Sequence, residues 1–125
     1  MPQQNNRECG SRKEQAAREF LEKNHIMIRE QNFRCRTGEI DLIGLDGSTL
    51  VFFEVKYRKN TKTGSPSEAV GIRKQQTICH VSDYYRMMRN IPEECAVRFD
   101  VICILKDETE WIKDAFPYQR GYGYR

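Results

Sequence analysis

Glu39, Asp41, Glu54, Lys56 and Arg58 lie in one short stretch, GEIDLIGLDGSTLVFFEVKYR, from Gly38 to Arg58. Three carboxylates and two cations recur there at alternate positions, a spacing that puts them on one side of a β-hairpin. Ile43 and Phe52 fall on the same side. The apolar pair argues that this side is at least partly covered, and a covered face tolerates carboxylates only where a cation compensates them. Lys56, two residues beyond Glu54, is one candidate. A divalent metal held by Asp41 and Glu54 is the other. Carboxylate oxygens suit a hard ion such as Mg²⁺ or Mn²⁺, which keeps waters and accepts phosphate as a further ligand. Such an ion binds a scissile phosphate and lowers the pKa of a bound water. Lys56 could orient that water or stabilise charge developing on phosphorus. The chemistry is then hydrolysis of a phosphodiester. The plainer alternative is a solvated hairpin face on which Glu and Lys pair across strands.

The hairpin itself is predicted from Asp46-Gly47, a strong turn dipeptide. With those two residues at the centre of a type I′ turn, Leu45 pairs with Ser48, Asp41 faces Phe52 and Glu39 faces Glu54. Asp41 is then diagonal to Glu54, with up to three negative charges within roughly 5–8 Å. The opposite side carries Ile40, Leu42, Val51, Phe53, Val55 and Tyr57, an unbroken apolar layer.

Elements on either side must position this hairpin. A helix is predicted from Ser11, a plausible N-cap, to Asn24, with Ala16, Ala17, Phe20 and Leu21 as its apolar stripe. Glu14 lies in it and could supply an outer carboxylate. A strand follows over Ile26–Phe33, then the hairpin strands Gly38–Leu45 and Thr49–Arg58. After a polar loop, Lys59–Ser67, a long helix is expected from Glu68 to Met88. Its stripe is Val70, Lys74, Thr77, Val81, Tyr84 and Met88, widened by Ile78 and Tyr85, so Lys74 lies beside the packed face and could contact a phosphate. AVRFDVICIL reads as a buried strand, with Arg98 and Asp100 as a structural ion pair, and Glu110–Lys113 as a short edge strand. A helix between the third and fourth strands favours their parallel pairing. The order α-β-β-β-α-β describes an α/β fold on a mixed sheet. One domain spans 11–114, preceded by a flexible 1–10 and followed by an irregular basic-aromatic tail, 115–125.

Composition narrows the class. A chain of 125 residues is enough for one core. No apolar run approaches the roughly 18 residues of a membrane span, and the N-terminus lacks the apolar core of a secretory signal; a cytoplasmic location is expected. Five cysteines with no CxxC pair fit neither a disulfide framework nor a zinc cluster. Adjacent Cys79 and His80 point too far apart on a helix to share a metal. The net charge of +3 permits nucleic-acid binding without demanding it. The basic residues cluster, however, around Arg7–Lys13, Arg34 and Arg36, Lys56–Lys62, and Arg73–Lys74.

GEIDLI, LVFFEVKYR, AVGIRKQQ and VRFDVI, in this order, resemble the YraN-like family of small bacterial proteins. That family is assigned to the restriction-endonuclease-like, or PD-(D/E)XK, nuclease superfamily and is similar to archaeal Holliday-junction resolvases. The resemblance covers roughly residues 10 to 105. It implies an αβββαβ core with a mixed sheet flanked by helices. It implies that Asp41 is the metal-binding aspartate, that Glu54 and Lys56 form the E-x-K pair, that Glu14 is the helix-one glutamate, and that Lys74 is the basic position of the second helix. Glu39 belongs to the family's GEID pattern. Arg36 and Arg58 join Lys74 as candidate nucleic-acid contacts. Three places depart from the pattern: Ile40 stands where the superfamily has proline, Lys13-Glu14 where the family has Gly-Glu, and Phe53 where a valine is common. The implied activity is that of an endonuclease using Mg²⁺ or Mn²⁺ on DNA, branched or structured DNA in particular, with DNA favoured over RNA. The alternative is a non-catalytic nucleic-acid-binding module on the same fold. A homodimer with two sites would suit a branched junction.

Overall fold

The computed structural model describes residues 2–58, 70–106 and 108–119, with side chains at 12 and from 14 onward. It contains α1 (Pro2–Lys23), β1 (Met27–Cys35), β2 (Gly38–Asp46), β3 (Thr49–Tyr57), α2 (Ile72–Met88), β4 (Val97–Ile104) and β5 (Thr109–Ile112). The strands form one sheet in the order β1-β2-β3-β4-β5. Every pairing is antiparallel except β3 with β4, which is parallel. This is the mixed α/β arrangement expected, consistent with a restriction-endonuclease-like αβββαβ core. Among the described residues no helix is long and apolar enough to cross a membrane.

The sheet is covered on both faces. Ala17 and Leu21 of α1 pack with Leu42, Val51, Phe53 and Ile102. On the other face Ile78, Val81 and Tyr85 of α2 pack with Ile43, Phe52, Phe99 and Val101. Alternation along β2 and β3 thus feeds two cores, and Glu54, in step with Phe52, shares its side with the α2 core.

Several expectations are corrected. The first helix starts at Pro2, not Ser11. Proline is well suited to a first helical position, and Gln, Arg and Glu extend a helix whose later turns are anchored by packing, with no apolar stripe of their own. Ala16 is exposed while Ala17 and Leu21 are buried. The second helix starts at Ile72, with Gly71 as its N-cap. The expected start at Glu68 and the loop Lys59–Ser67 lie outside the described residues.

The packed face of α2 is also turned from the expected stripe. It buries Gln75, Ile78, Cys79, Val81, Ser82 and Tyr85, leaving Tyr84 38% and Met88 49% exposed. Small Cys79 and Ser82 let the helix settle on the sheet, and the Ser82 hydroxyl is satisfied by donating to the Cys79 carbonyl at 2.6 Å. Residues 115–119 carry no helix or strand, and Ala115 and Phe116 are buried in the α2-side core. The Gln119 N–H donates to Cys79 Sγ at 3.2 Å. Residues 120–125 of the expected tail lie outside the described residues.

Arg98 and Asp100 form the structural pair expected of them. Asp100 is buried and accepts from Arg98 Nε at 2.9 Å, Trp111 Nε1 at 2.9 Å and the Asp114 N–H at 2.9 Å. Arg98 also reaches Asp46 at 2.9 Å, which ties the hairpin turn to β4 and β5.

Candidate active site

The hairpin register differs from the expected one by two residues, and that difference builds the site. Asp46 pairs with Thr49 and Ile43 with Phe52. Gly47, at φ 63°, is the first central residue of the turn and Ser48 the second, as in a type II′ turn. A two-residue shift keeps every side chain on its side of the sheet. It changes partners: continued past Leu42↔Phe53, this register sets Asp41 directly against Glu54, rather than Glu39 against Glu54.

The pairing of β2 with β3 ends at Leu42↔Phe53. The next contact is made by a side chain: the Val55 N–H donates to Asp41 Oδ2 at 2.8 Å. On the other side of β2, pairing to β1 runs through Gln31↔Leu42 and Phe33↔Ile40, skipping Asn32 and Asp41 between them. Asn32 has φ 56°, a left-handed conformation that asparagine tolerates better than most residues. The irregularity switches sides within β2. Leu42 packs in the α1-side core, but Ile40 packs in the α2-side core. The expectation that Ile40 shares the layer of Leu42 is thereby corrected, and so is the common face for Glu39 and Asp41. Gly38 faces α2 as Ile40 does, so closely that a Cβ there would lie 2.6 Å from Thr77 Cγ2. Glu39, between them, pairs with Arg34 at 3.5 Å.

Two carboxyl groups therefore meet in a sheltered place with one strong donor between them. Burial pushes Asp41 up to about 7 from its ordinary 3.8, and the neighbouring Glu54 pushes it further. The Val55 N–H opposes this, while Glu14 and Glu39 add to it from farther away. Burial also raises Glu54, against the opposing pull of Lys74, a hydrogen bond with Asp41, and Lys56. The pair titrates as a unit. Burial and mutual repulsion both favour the protonated form of the pair.

The expected cations gather around Glu54. Lys74 Nζ lies 3.6 Å from Glu54 Oε2; the glutamate side chain is 10% exposed and the lysine 48%. Lys74 comes from the first turn of α2, which begins beside the C-terminal half of β3. Gln75 holds that turn: its Nε2 donates to the Val70 carbonyl at 2.7 Å. Lys56 is half-buried, paired in register with Cys103, and its charge acts on Glu54. Glu14, half-buried on α1, acts on Asp41 as an outer charge. Arg36 is exposed in the turn between β1 and β2, lining a shallow hollow with Arg34 and Glu39. Arg58 follows β3, where its N–H donates to the Ile104 carbonyl at 3.0 Å. Among the described residues, no hydrogen bond or ion pair joins the Arg36 or Arg58 side chain to the carboxyl pair.

The donor set fits a hard divalent cation. Two carboxylates that repel each other in a partly dry place suit such an ion. No group of three or more potential metal-ligating side chains forms among the described residues. A cation here would be held by Asp41 and Glu54. Sequence reasoning misses Asn32 and Gly38. Asparagine inside a strand pattern, opposite the aspartate, is the available signal for the first. The second depends on the close approach of Thr77, which no local pattern reveals.

Residues 13–104 match the family described as uncharacterised protein family UPF0102. A UPF0102 protein of Lachnoclostridium phytofermentans is 43% identical over 107 residues, covering 86% of this chain and 91% of its own. One from Syntrophus aciditrophicus is 45% identical over 120 residues, covering 93% and 94%. One from Geotalea daltonii is 46% identical over 116 residues, covering 89% and 91%.

Proposed function

The chain belongs to the UPF0102 family, and we propose that it is a metal-dependent endonuclease that hydrolyses phosphodiester bonds in DNA, branched or structured DNA being the preferred form. The observation that carries this reading is the carboxyl pair: Asp41 and Glu54 close enough to perturb each other, both raised above their ordinary pKa, with Lys56 and Lys74 acting on Glu54. The resemblance of GEIDLI and FEVK to the PD-(D/E)XK pattern supports the same residues. A buried acid pair is costly to stability, and its retention is well explained by a task that needs two ionised oxygens.

Asp41 and Glu54 would hold Mg²⁺ or Mn²⁺, which supplies a bound water of lowered pKa and charge for the scissile phosphate. Lys56, half-buried, keeps a positive charge beside Glu54 and stabilises the negative charge that grows on the phosphoryl oxygens as water adds to phosphorus and the ester P–O bond breaks. Lys74 presents its exposed ammonium at the solvent side of Glu54 and meets a non-bridging phosphate oxygen. The Val55 N–H fixes the orientation of the Asp41 carboxylate, so that little reorganisation accompanies the reaction. Arg36 and Arg58 extend the contact to neighbouring backbone phosphates, and a homodimer presents two sites to a junction.

The test is cleavage by purified protein with Mn²⁺ of single strands, duplexes, flaps, four-way junctions and RNA. Wild type should nick a branched DNA, Asp41→Asn should not, and Lys56→Ala should bind without nicking. Equal cleavage by all three proteins would refute the reading. Salt-sensitive binding with no cleavage by wild type would leave the second reading, a nucleic-acid-binding module on the same fold.

A further inference from the structure

Residues 115–119, after β5, run as a strap over α2. The Ala115 N–H donates to the Phe99 carbonyl at 2.8 Å, and Phe116 stacks on Phe99 with centroids 5.3 Å apart. These contacts fix the start of the strap to β4. Its last residues then take hold of the helix. The Tyr118 hydroxyl donates to Asp83 Oδ2 at 2.6 Å, the Gln119 N–H to Cys79 Sγ at 3.2 Å, and Gln119 Nε2 to Gln75 Oε1 at 3.2 Å. Positions 83, 79 and 75 are spaced at four residues, so they line one side of α2 and climb roughly 12 Å toward its first turn.

The first turn of a helix leaves its N–H groups without intrahelical acceptors, and Gly71, the N-cap, makes no side-chain capping bond. Gln75 closes the turn instead. Its N–H donates to the Gly71 carbonyl at 3.0 Å, and its Nε2 to the Val70 carbonyl at 2.7 Å. Gln75 is 5% exposed, and an amide that donates at one end and accepts at the other is held in one orientation. Gln119 is the donor at the accepting end. Lys74, the residue before Gln75, makes the 3.6 Å contact with Glu54. Its charge sits on a flexible four-carbon stem, so the place the ammonium occupies depends on a fixed backbone beneath it.

We propose that Gln119 is a positioning residue: through Gln75 it fixes the first turn of α2 and so holds the Lys74 ammonium against Glu54. What Lys74 does there for a phosphate rests on the nuclease reading; where it is held does not.

The test compares the full chain with Gln119→Met, which keeps the size of the side chain and removes its donor. Two measurements need no nucleic acid. Hydrogen exchange at the Gln75 N–H should quicken by at least about threefold, while exchange at the Arg89 N–H, bonded to the Tyr85 carbonyl at the other end of α2, stays unchanged. The nuclear Overhauser contact between Lys74 Hε and Glu54 Hγ should be present in wild type and weaken in the variant, a change that a loss of global stability alone does not produce in the folded protein. The third measurement is affinity for a four-way junction with chelator present. Gln119→Met should weaken it and lower the salt slope by up to about one, and should have no further effect in a Lys74→Gln background. Unchanged exchange at Gln75, or an unchanged Lys74–Glu54 contact, overturns the proposal. Equal losses of affinity in both backgrounds overturn the claim that Gln119 acts through Lys74. A weakened contact in a protein whose wild type binds no nucleic acid supports the positioning role and refutes the nuclease reading, so the two fail separately.

Discussion

Replacing Asp41 by Asn should stabilise the metal-free protein, by an amount that grows with pH. In the unfolded chain Asp41 has its ordinary pKa of 3.8, and in the fold about 7. Below 3.8 both states are protonated and the residue adds no penalty. Between 3.8 and about 7 the unfolded chain has released a proton that the folded one still holds, so stability falls as pH rises, by about 1.4 kcal/mol per pH unit. Above about 7 both states are ionised and the loss is complete, at up to about 4 kcal/mol. Asparagine has no charge at any pH. Its amide can donate to Glu54 and accept from the Val55 N–H, as protonated Asp41 does. Thermal unfolding of both proteins from pH 4 to 8, with chelator present, is the assay. The two melting temperatures should be close at pH 4, diverge through pH 7, and differ by on the order of 10 °C above it. Adding Mn²⁺ at pH 8 should raise wild type and leave Asp41→Asn unchanged. Parallel pH profiles, or a variant less stable than wild type at pH 8, would refute the argument that this carboxyl is held in a place hostile to its charge.

Other outcomes follow from the same geometry. Mn²⁺ affinity, measured by calorimetry, should weaken as pH falls below about 7, with release of a proton on binding, because the ion must displace the proton that the raised Asp41 carboxyl holds. Gly38→Ala should cost about 1–3 kcal/mol in denaturant unfolding, since its Cβ would lie 2.6 Å from Thr77 Cγ2; adding Thr77→Ser, which removes that methyl, should recover most of the loss. Trp111→Phe removes one donor from buried Asp100 and should cost about 1–3 kcal/mol by the same measurement.

Much of this arrangement is legible in the order of residues. Alternation in GEIDLIGLDGSTLVFFEVKYR marks the two strands, and the long helix preceding AVRFDVICIL favours the parallel pairing that β3 and β4 make. A two-residue error in the turn does no harm to the face assignment, because side chains repeat every second residue. It does hide the pairing of Asp41 with Glu54. The α2 stripe is misplaced for a different reason: Cys79 and Ser82 are small, and hydrophobicity alone does not mark them as contact residues.

Residue type and spacing were enough to single out the acids and lysines as candidates, since ligand hardness and strand periodicity are local properties. Tertiary structure alone decided that both acids of the pair are raised above their ordinary pKa. That depends on where the β2–β3 ladder stops, on Asn32 turning the neighbouring strand, on α2 bringing Lys74 to Glu54, and on how much water the two helices exclude. Each is a distance between segments far apart in the chain, and pKa follows such distances and not sequence order.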